Sequence, residues 1–365
     1  MKAAPRGAAT WSAIIGSVAS AFTRPSFGIF ADLMAGWVAT PGRRTITRII
    51  GVIDPEGRRA HDAYHRLVRD GVWQMSKLWQ TLTVMIVETL IDADIEVCLD
   101  LDDTLHHKTG PKIEGVGIFR DAVRSTRNRT VHTLGLNLVV ITVRITPPWG
   151  AMPIGLPINV RIRRKDDGPT TVELARTMLL EIASWLPDRN FQLACDGAYA
   201  KLCGANLERI QVTSRLRRDA AVYELTPPRT GKRGRPRKKG DRLPALAAMA
   251  AAATGWTTVT YDQRGTTIVR QVWSRRLLWY HVAKDTPLLL VIGRDPDDGI
   301  LPDDFFITID TGTDPRWVAC LSLLLHAVIW PWYLDLWGSR RSWTPTPWCP
   351  TKTTPSSTGA LVGWW

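Results

Sequence analysis

An α/β fold, a mixed sheet with flanking helices behind a helical N-terminal region, is what this sequence predicts, and three features predict it. Residues 91–310 carry a succession of short strand-like runs, the first of them Ile95 to Asp102. Helical periodicity breaks into these runs at Val172 to Leu186, through Leu174, Met178, Leu179, Ile182 and Trp185. Strands mixed with crossing helices make an α/β domain. Upstream, Leu67, Val72, Leu78, Leu82 and Ile86 recur at helical spacing, so Ala60 to Leu90 is expected as a helix within a helical region spanning residues 1–90.

The strands are expected at Thr130–Thr146, Leu156–Arg163, Phe191–Asp196, Ile210–Leu216, Ala221–Leu225, Leu288–Ile292 and Phe305–Ile309. Thr257–Tyr261 and Thr267–Val282 read as a hairpin around Asp262-Gln-Arg-Gly265. Pro227 to Pro244, PPRTGKRGRPRKKGDRLP, has no apolar residue between Pro228 and Leu243 and is expected as a solvated loop or arm. A Trp- and Pro-rich tail covers 336–365, and the domain between the N-terminal region and the tail is expected to span 91–335.

The balance of 47 Lys+Arg against 34 Asp+Glu, a formal +13, points to a polyanionic partner, and nucleic acid is the first choice. No two of the five cysteines have Cys-x-x-Cys spacing, so they read as reduced structural thiols, with Cys98 and Cys195 buried. Trp317 to Leu334 is apolar for about one membrane thickness. It contains His326 and Pro331 and ends at Asp335, so a buried helix is expected and no membrane partner. His61 and His65, four apart, lack the further ligands of a metal site and read as a packed or solvated pair.

Two segments carry candidate chemistry. In VCLDLDD, an apolar strand runs into Asp100, Asp102 and Asp103, and HHKTG follows. Asp100 and Asp102, two apart, share a strand face. In LACDGAYA, a second apolar strand ends on Asp196, and Gly197 suits a tight strand-to-helix turn. Taken alone, the first segment reads equally well as a solvated turn with capping Asp and Thr. Two strand-end acids in one α/β domain of a basic protein are stronger together. Carboxylates side by side repel and shift each other's pKa. All-oxygen ligation of Mg2+ or Mn2+ relieves that, and two such ions clamp the oxygens of a phosphodiester.

LDLDDTLHHKTGPKIEGVGIFRDAVRS resembles the first-acid block of bacterial insertion-sequence transposases with an RNase H-like DDE domain, and LACDGAYA resembles their second-acid block. GRPRKKGDRLP is similar to the family's basic insertion, and FTRPSFGIFADLMAGWV and HDAYHRLVRDGVW to its N-terminal helical region. The resemblance implies an RNase H-like sheet, DNA cleavage and strand transfer at transposon ends, and Mg2+ (or Mn2+) as cofactor. It makes Asp102 the first catalytic and metal-binding acid, with Asp103 the adjacent alternative, and Asp196 the second. It further implies double-stranded DNA as partner, leaves room for a homodimer, and places the protein in the bacterial cytoplasm at the nucleoid.

Arg233, Arg235, Arg237, Lys238 and Lys239 are the DNA-binding candidates. Arg233-Gly234-Arg235-Pro236 has the form of an AT-hook core for a narrow minor groove, and the plainer reading is an arm that touches phosphates. His106, His107 and Lys108 read as phosphate contacts or as turn residues. The family's third acid is a Glu on a helix after the last strand. Here no Glu occurs after Glu224, and only TGTDP separates Asp310 from Arg316. The expectation is an internal deletion near 311–319 and a copy defective in cleavage. Asp310 and Asp314 are the nearest substitutes, with Asp335 farther away.

Overall fold

The computed structural model describes residues 6–319, except 111, 127, 148–152, 166–167, 229–235, 264–265 and 297–301. The chain divides into two compact units, residues 1–89 and 90–365. The first is helical: α1 (Arg6–Ser17), a 3-10 turn (Ala19–Ala21), α2 (Arg24–Ala39), α3 (Ile46–Ile53), α4 (His61–Asp70) and α5 (Met75–Leu90). The single helix expected over Ala60–Leu90 is therefore two. The break falls at Gly71, whose N–H caps the Leu67 carbonyl at 3.1 Å, and only glycine fits there, since a Cβ would lie 2.1 Å from that oxygen.

The core of this unit is Leu33, Ile49, Ile50, Tyr64 and Leu67. Asp54 ties α3 to α4 by accepting the N–H groups of Arg58 and Arg59, both at 2.9 Å. These bonds, the one to Arg59 foremost, hold its carboxyl below the usual range. α2 and α3 meet at Gly36, where a Cβ would lie 2.5 Å from Ile49 Cγ2 and 2.7 Å from Ile53 Cγ2. Gly36→Ala is therefore expected to destabilise this unit by about 1–3 kcal/mol, the cost of overpacking, despite alanine's better helix propensity. Chemical denaturation followed by circular dichroism measures it, and an unchanged midpoint would refute the close approach. His61 and His65 lie against each other with ring centroids 4.7 Å apart and planes tilted by 36°.

The second unit is built on one ten-stranded sheet. Its elements are β1 (Val97–His107), β2 (Gly117–Arg120), β3 (His132–Ile145), β4 (Ile154–Arg163), α6 (Thr171–Trp185), β5 (Phe191–Cys195), a 3-10 segment (Gly197–Gly204), β6 (Ile210–Arg215), α7 (Leu246–Ala252), β7 (Thr257–Gln263), β8 (Thr266–Leu277), α8 (Tyr280–Ala283), β9 (Leu288–Arg294) and β10 (Asp304–Thr308). The order is β2-β3-β1-β5-β6-β10-β9-β8-β7, with β4 on β3. β1, β5 and β6 are parallel, and β3 and β4 form an antiparallel meander with β1. This is an RNase H-like mixed sheet with flanking helices, extended by four further antiparallel strands.

Alternation sorts the sheet into two faces. Val97, Leu99, Leu101, Val139, Ile141 and Val143 point one way and are fully buried. α6 covers that face: its Glu181 accepts from Asn159 and Arg161 of β4 at 2.9 and 2.8 Å. A capping box at Thr170 and Glu173 starts α6, and Ala175, Met178, Leu179 and Ile182 form its buried stripe. The opposite face carries Asp100, Asp102, Ala194 and Thr213. A helical turn from Pro315 lies on this second face, with Trp317 against Ala194, and Val318 and Ala319 among Leu289, Val291 and Phe306.

Several expected boundaries move. β1 does not stop at Asp102 but runs on to His107, so His106 and His107 are strand rather than turn residues. Its added length is held by β3, whereas its pairing with β5 ends at Leu101. Ala221–Leu225 is not a strand; only Tyr223 bridges, to Arg242 and Leu278. β8 ends at Leu277 and α8 follows, which shortens the strand expected to reach Val282. Cys98 is half-buried rather than buried, and Cys98, Cys195 and Cys203 are free thiols. Among the described residues no helix is long and apolar enough to cross a membrane. Most of the apolar run at 317–334 and all of the tail at 336–365 lie outside the described residues.

Candidate active site

Parallel pairing of β1 and β5 sets Leu101 level with Cys195, so the next residues, Asp102 and Asp196, come side by side. They share the face opposite Leu101 and Cys195. Asp196 is exposed at the strand end, where its carboxylate caps the 3-10 segment by accepting the Gly197 N–H at 2.6 Å. Its carbonyl accepts Ser214 Oγ at 3.1 Å, which fixes the turn against β6. Asp102 is partly buried and accepts the Asp103 N–H at 2.8 Å. Burial, with the neighbouring charges of Asp103 and Asp196, pushes its carboxyl up to about 7.

The two candidates for first acid separate by face. Asp103 points away from Asp196 and is engaged, accepting Asn137 Nδ2 at 2.9 Å and the Tyr199 hydroxyl at 3.1 Å. Burial and the Asp103 carboxylate push the Tyr199 phenol far up, so it remains a hydrogen-bond donor. Asp100, two residues before Asp102 on the same face, is fully buried and forms a two-pronged ion pair with Arg144 of β3, one prong at 3.2 Å. Burial raises the Asp100 carboxyl, against the pull of Arg144. This partner was missed in the sequence. The signal was present: an Arg inside an otherwise apolar strand needs a buried acid opposite it.

Two carboxylates on adjacent strands, one pushed up to about 7 chiefly by burial and further by the other charges, suit a divalent cation of the Mg2+ type. Such an ion takes one or two carboxylates and fills its other positions with water and phosphate oxygens. Among the described residues no third His, Cys, Asp or Glu joins them in a metal-sized group. Asp310 does not approach. β10 is antiparallel to β6, and the Ile309 N–H bonds the Val212 carbonyl at 3.1 Å, so the chain leaves β10 at the end of the sheet opposite the acids. Asp314 lies against Thr257 and Val272–Ser274 of β7 and β8, several strands across the sheet from the acids, and pairs with Arg316 at 2.7 Å. Strand direction keeps Asp310 from the acids and its place on β7 and β8 keeps Asp314 from them, so neither stands beside the pair. Asp335 lies outside the described residues.

Of the basic candidates, Arg233 and Arg235, and with them the hook core, lie outside the described residues. The root of the segment is a stem: Glu224 N–H to Asp241 at 2.9 Å, Gly240 N–H to Glu224 at 3.1 Å and Thr226 Oγ1 to the Lys238 carbonyl at 2.9 Å. Lys239 sits over the Tyr223 ring at 3.7 Å and Tyr280 at 5.0 Å. Arg237 pairs with Asp241 at 2.9 Å, and Lys238 is exposed. His107 is paired with Asp121 at 2.8 Å, whose other oxygen accepts the N–H groups of Val123 and Arg124 at 3.1 and 3.0 Å.

An RNase H-like sheet with a carboxylate pair at the junction of its first and fourth core strands defines a nuclease of the DDE type. A family model described as DDE superfamily endonuclease matches residues 19–283, well over half of the chain. The chain belongs to this family, whose members use divalent metal ions and act on DNA. No curated protein matches it. The matched span ends at Ala283, before β9, β10 and the turn at Pro315.

Proposed function

We propose that this chain is a transposase of the insertion-sequence type that binds double-stranded DNA at transposon ends and is defective in cutting it. Asp102 and Asp196 are its first and second acids, and Mg2+ (or Mn2+) is the ion they hold. The ion, when bound, offsets charge on a phosphodiester; Asp102 and Asp196 orient it, and the buried pair beneath them fixes the strand.

The observation that carries the reading is the carboxylate pair with no third acid beside it among the described residues. The acids that the sheet does bring to that end, Asp303 and Asp304, are held by Arg294 at 2.9 Å and Arg215 at 3.3 Å. Six residues, 309–314, separate β10 from the helical turn at Pro315, and no Glu follows. In this reading a helix and its loop have been deleted there. What remains is a nucleoid protein that occupies ends, as a homodimer where two are paired. The N-terminal helical region and the basic insertion, through Arg233, Arg235, Arg237 and Lys238, supply the remaining DNA contacts. Lys239 serves as the anchor of the insertion's stem.

The test is binding and nicking of duplexes that carry the element's own terminal sequences, with Mg2+ or Mn2+. Binding is expected to persist and to weaken steeply with salt, as phosphate contacts require. Nicking is expected at the level of Asp102→Ala and Asp196→Ala. Efficient nicking that these substitutions abolish would show that a third ligand reaches the site and that the deletion is misread.

A further inference from the structure

The stem of the basic insertion is rooted where Tyr223 bridges Leu278, just past the carboxyl end of β8. Three successive antiparallel pairings separate β8 from β6, so that end of β8 is the one opposite the acids. Its rooted cations are remote from Asp102. Other cations do stand at the acid end, on β6. Ser214 is level with Cys195, so Arg215 comes level with Asp196, on the same face and one strand further along. Its side chain is 34% exposed, and its guanidinium donates to Asp304 at 3.3 Å. Arg270, only 8% exposed, approaches the other oxygen of Asp304 at 4.0 Å. Beyond the strand, Arg217 and Arg218 are exposed; Arg217 pairs with Asp219 at 2.8 Å, and Arg218 donates to the Asp303 carbonyl at 3.2 Å.

We propose that the carboxyl end of β6 is a phosphate track for duplex DNA, with Arg215 gripping the backbone beside the acid pair and Arg217 and Arg218 leading it away. The proposal rests on the DNA-binding reading above and names where the cleavage face holds its substrate. Two carboxylates repel a phosphodiester, so a neighbouring cation is needed to seat one. Strands lie about 4.8 Å apart, which puts the guanidinium within reach of a phosphate next to the acids. Its planar fork suits two phosphate oxygens at once. Asp304, backed by Arg270, holds that fork in place before DNA arrives. The exposed Arg217–Asp219 pair is worth little in water, so exchanging Asp219 for phosphate costs little.

The experiment is equilibrium binding of the full chain to terminal-sequence duplexes between about 50 and about 200 mM salt. Each phosphate that a variant no longer neutralises reduces the log–log slope by about 0.9. The double variant Arg217→Gln, Arg218→Gln is expected to flatten the slope by about 1.8, and Arg215→Gln by about 0.9. Arg215→Lys keeps the charge and is expected to keep the slope, which separates a phosphate grip from a folding defect. An unchanged slope in the double variant, with binding intact, overturns the track. A slope flattened equally in Arg215→Lys overturns the part given to Arg215. A wild-type chain without salt-dependent binding to any duplex overturns the DNA-binding reading itself, and the track with it.

Discussion

Asp102→Asn is expected to make the folded chain more stable at pH 8, and to leave it unchanged below about pH 4. The carboxyl of Asp102 sits at about 7 in the fold, against an ordinary value of 3.8. Between those values the folded chain keeps a proton that the unfolded chain has released. Folding is therefore disfavoured progressively as pH rises from about 4 to about 7, and the penalty stays constant above that. The gap corresponds to roughly 4 kcal/mol at most. The neutral amide removes the penalty, so the melting temperature at pH 8 should rise by several degrees, at about 2–4 °C per kcal/mol for a unit of this size. Mg2+ should stabilise the wild type at pH 8, by about 2.7 kcal/mol at a hundredfold excess over its dissociation constant, and should do much less for the variant. Calorimetric scans at pH 4 and pH 8, with and without Mg2+, measure both effects. A variant that melts lower at pH 8 would mean that Asp102 is a structural acceptor and not a strained member of a pair.

Arg144→Met is expected to have the largest effect of opposite sign. Asp100 is 0% exposed, and Arg144 is its only ion-pair partner among the described residues. Removing one side of a buried pair leaves an uncompensated charge and costs about 3–5 kcal/mol. Because burial already drives Asp100 toward its protonated form, the loss should be smaller in acid, where the orphaned carboxyl takes up a proton. Asp100→Leu combined with Arg144→Met should recover much of the stability, since well-packed apolar replacements of buried pairs are often neutral. Urea midpoints for the single and double variants at pH 5 and pH 8 test this. A double variant as unstable as Arg144→Met alone would show that Asp100 does more than hold Arg144.

The acids were legible in the sequence because their signals are local. VCLDLDD alternates, so Asp100 and Asp102 fall on one face, and Gly197 after Asp196 marks a strand-to-turn exit. The core strands β3 to β6 were legible for the same reason, as apolar runs of strand length. What could not be read is non-local. The run after Asp102 has few apolar residues, yet β3 holds it as strand through His107. β2, Gly117–Arg120, is too short for a periodic signal and exists by pairing with β3. Tyr223 looked like part of a strand but bridges only once on either side. Lys239 looked like a free cation within a basic run, but two tyrosines brought from 223 and 280 cradle it. The direction of β10, which decides the fate of Asp310, depends on which strand it joins, and no residue of Asp304–Thr308 announces that.

That direction sets the length of chain that a third ligand arriving from β10 would need. The backbone leaves β10 beside Val212, three residues short of Arg215, and so about 10 Å below the acids at strand rise. A helix climbs about 1.5 Å per residue, so it must return for about seven residues, two full turns, before a side chain on it comes level with Asp102 and Asp196. Bringing a third carboxylate to the pair is thus a question of distance before it is one of chemistry. A carboxylate inserted directly after the strand would stand at the wrong latitude, however well its pKa and reach were chosen.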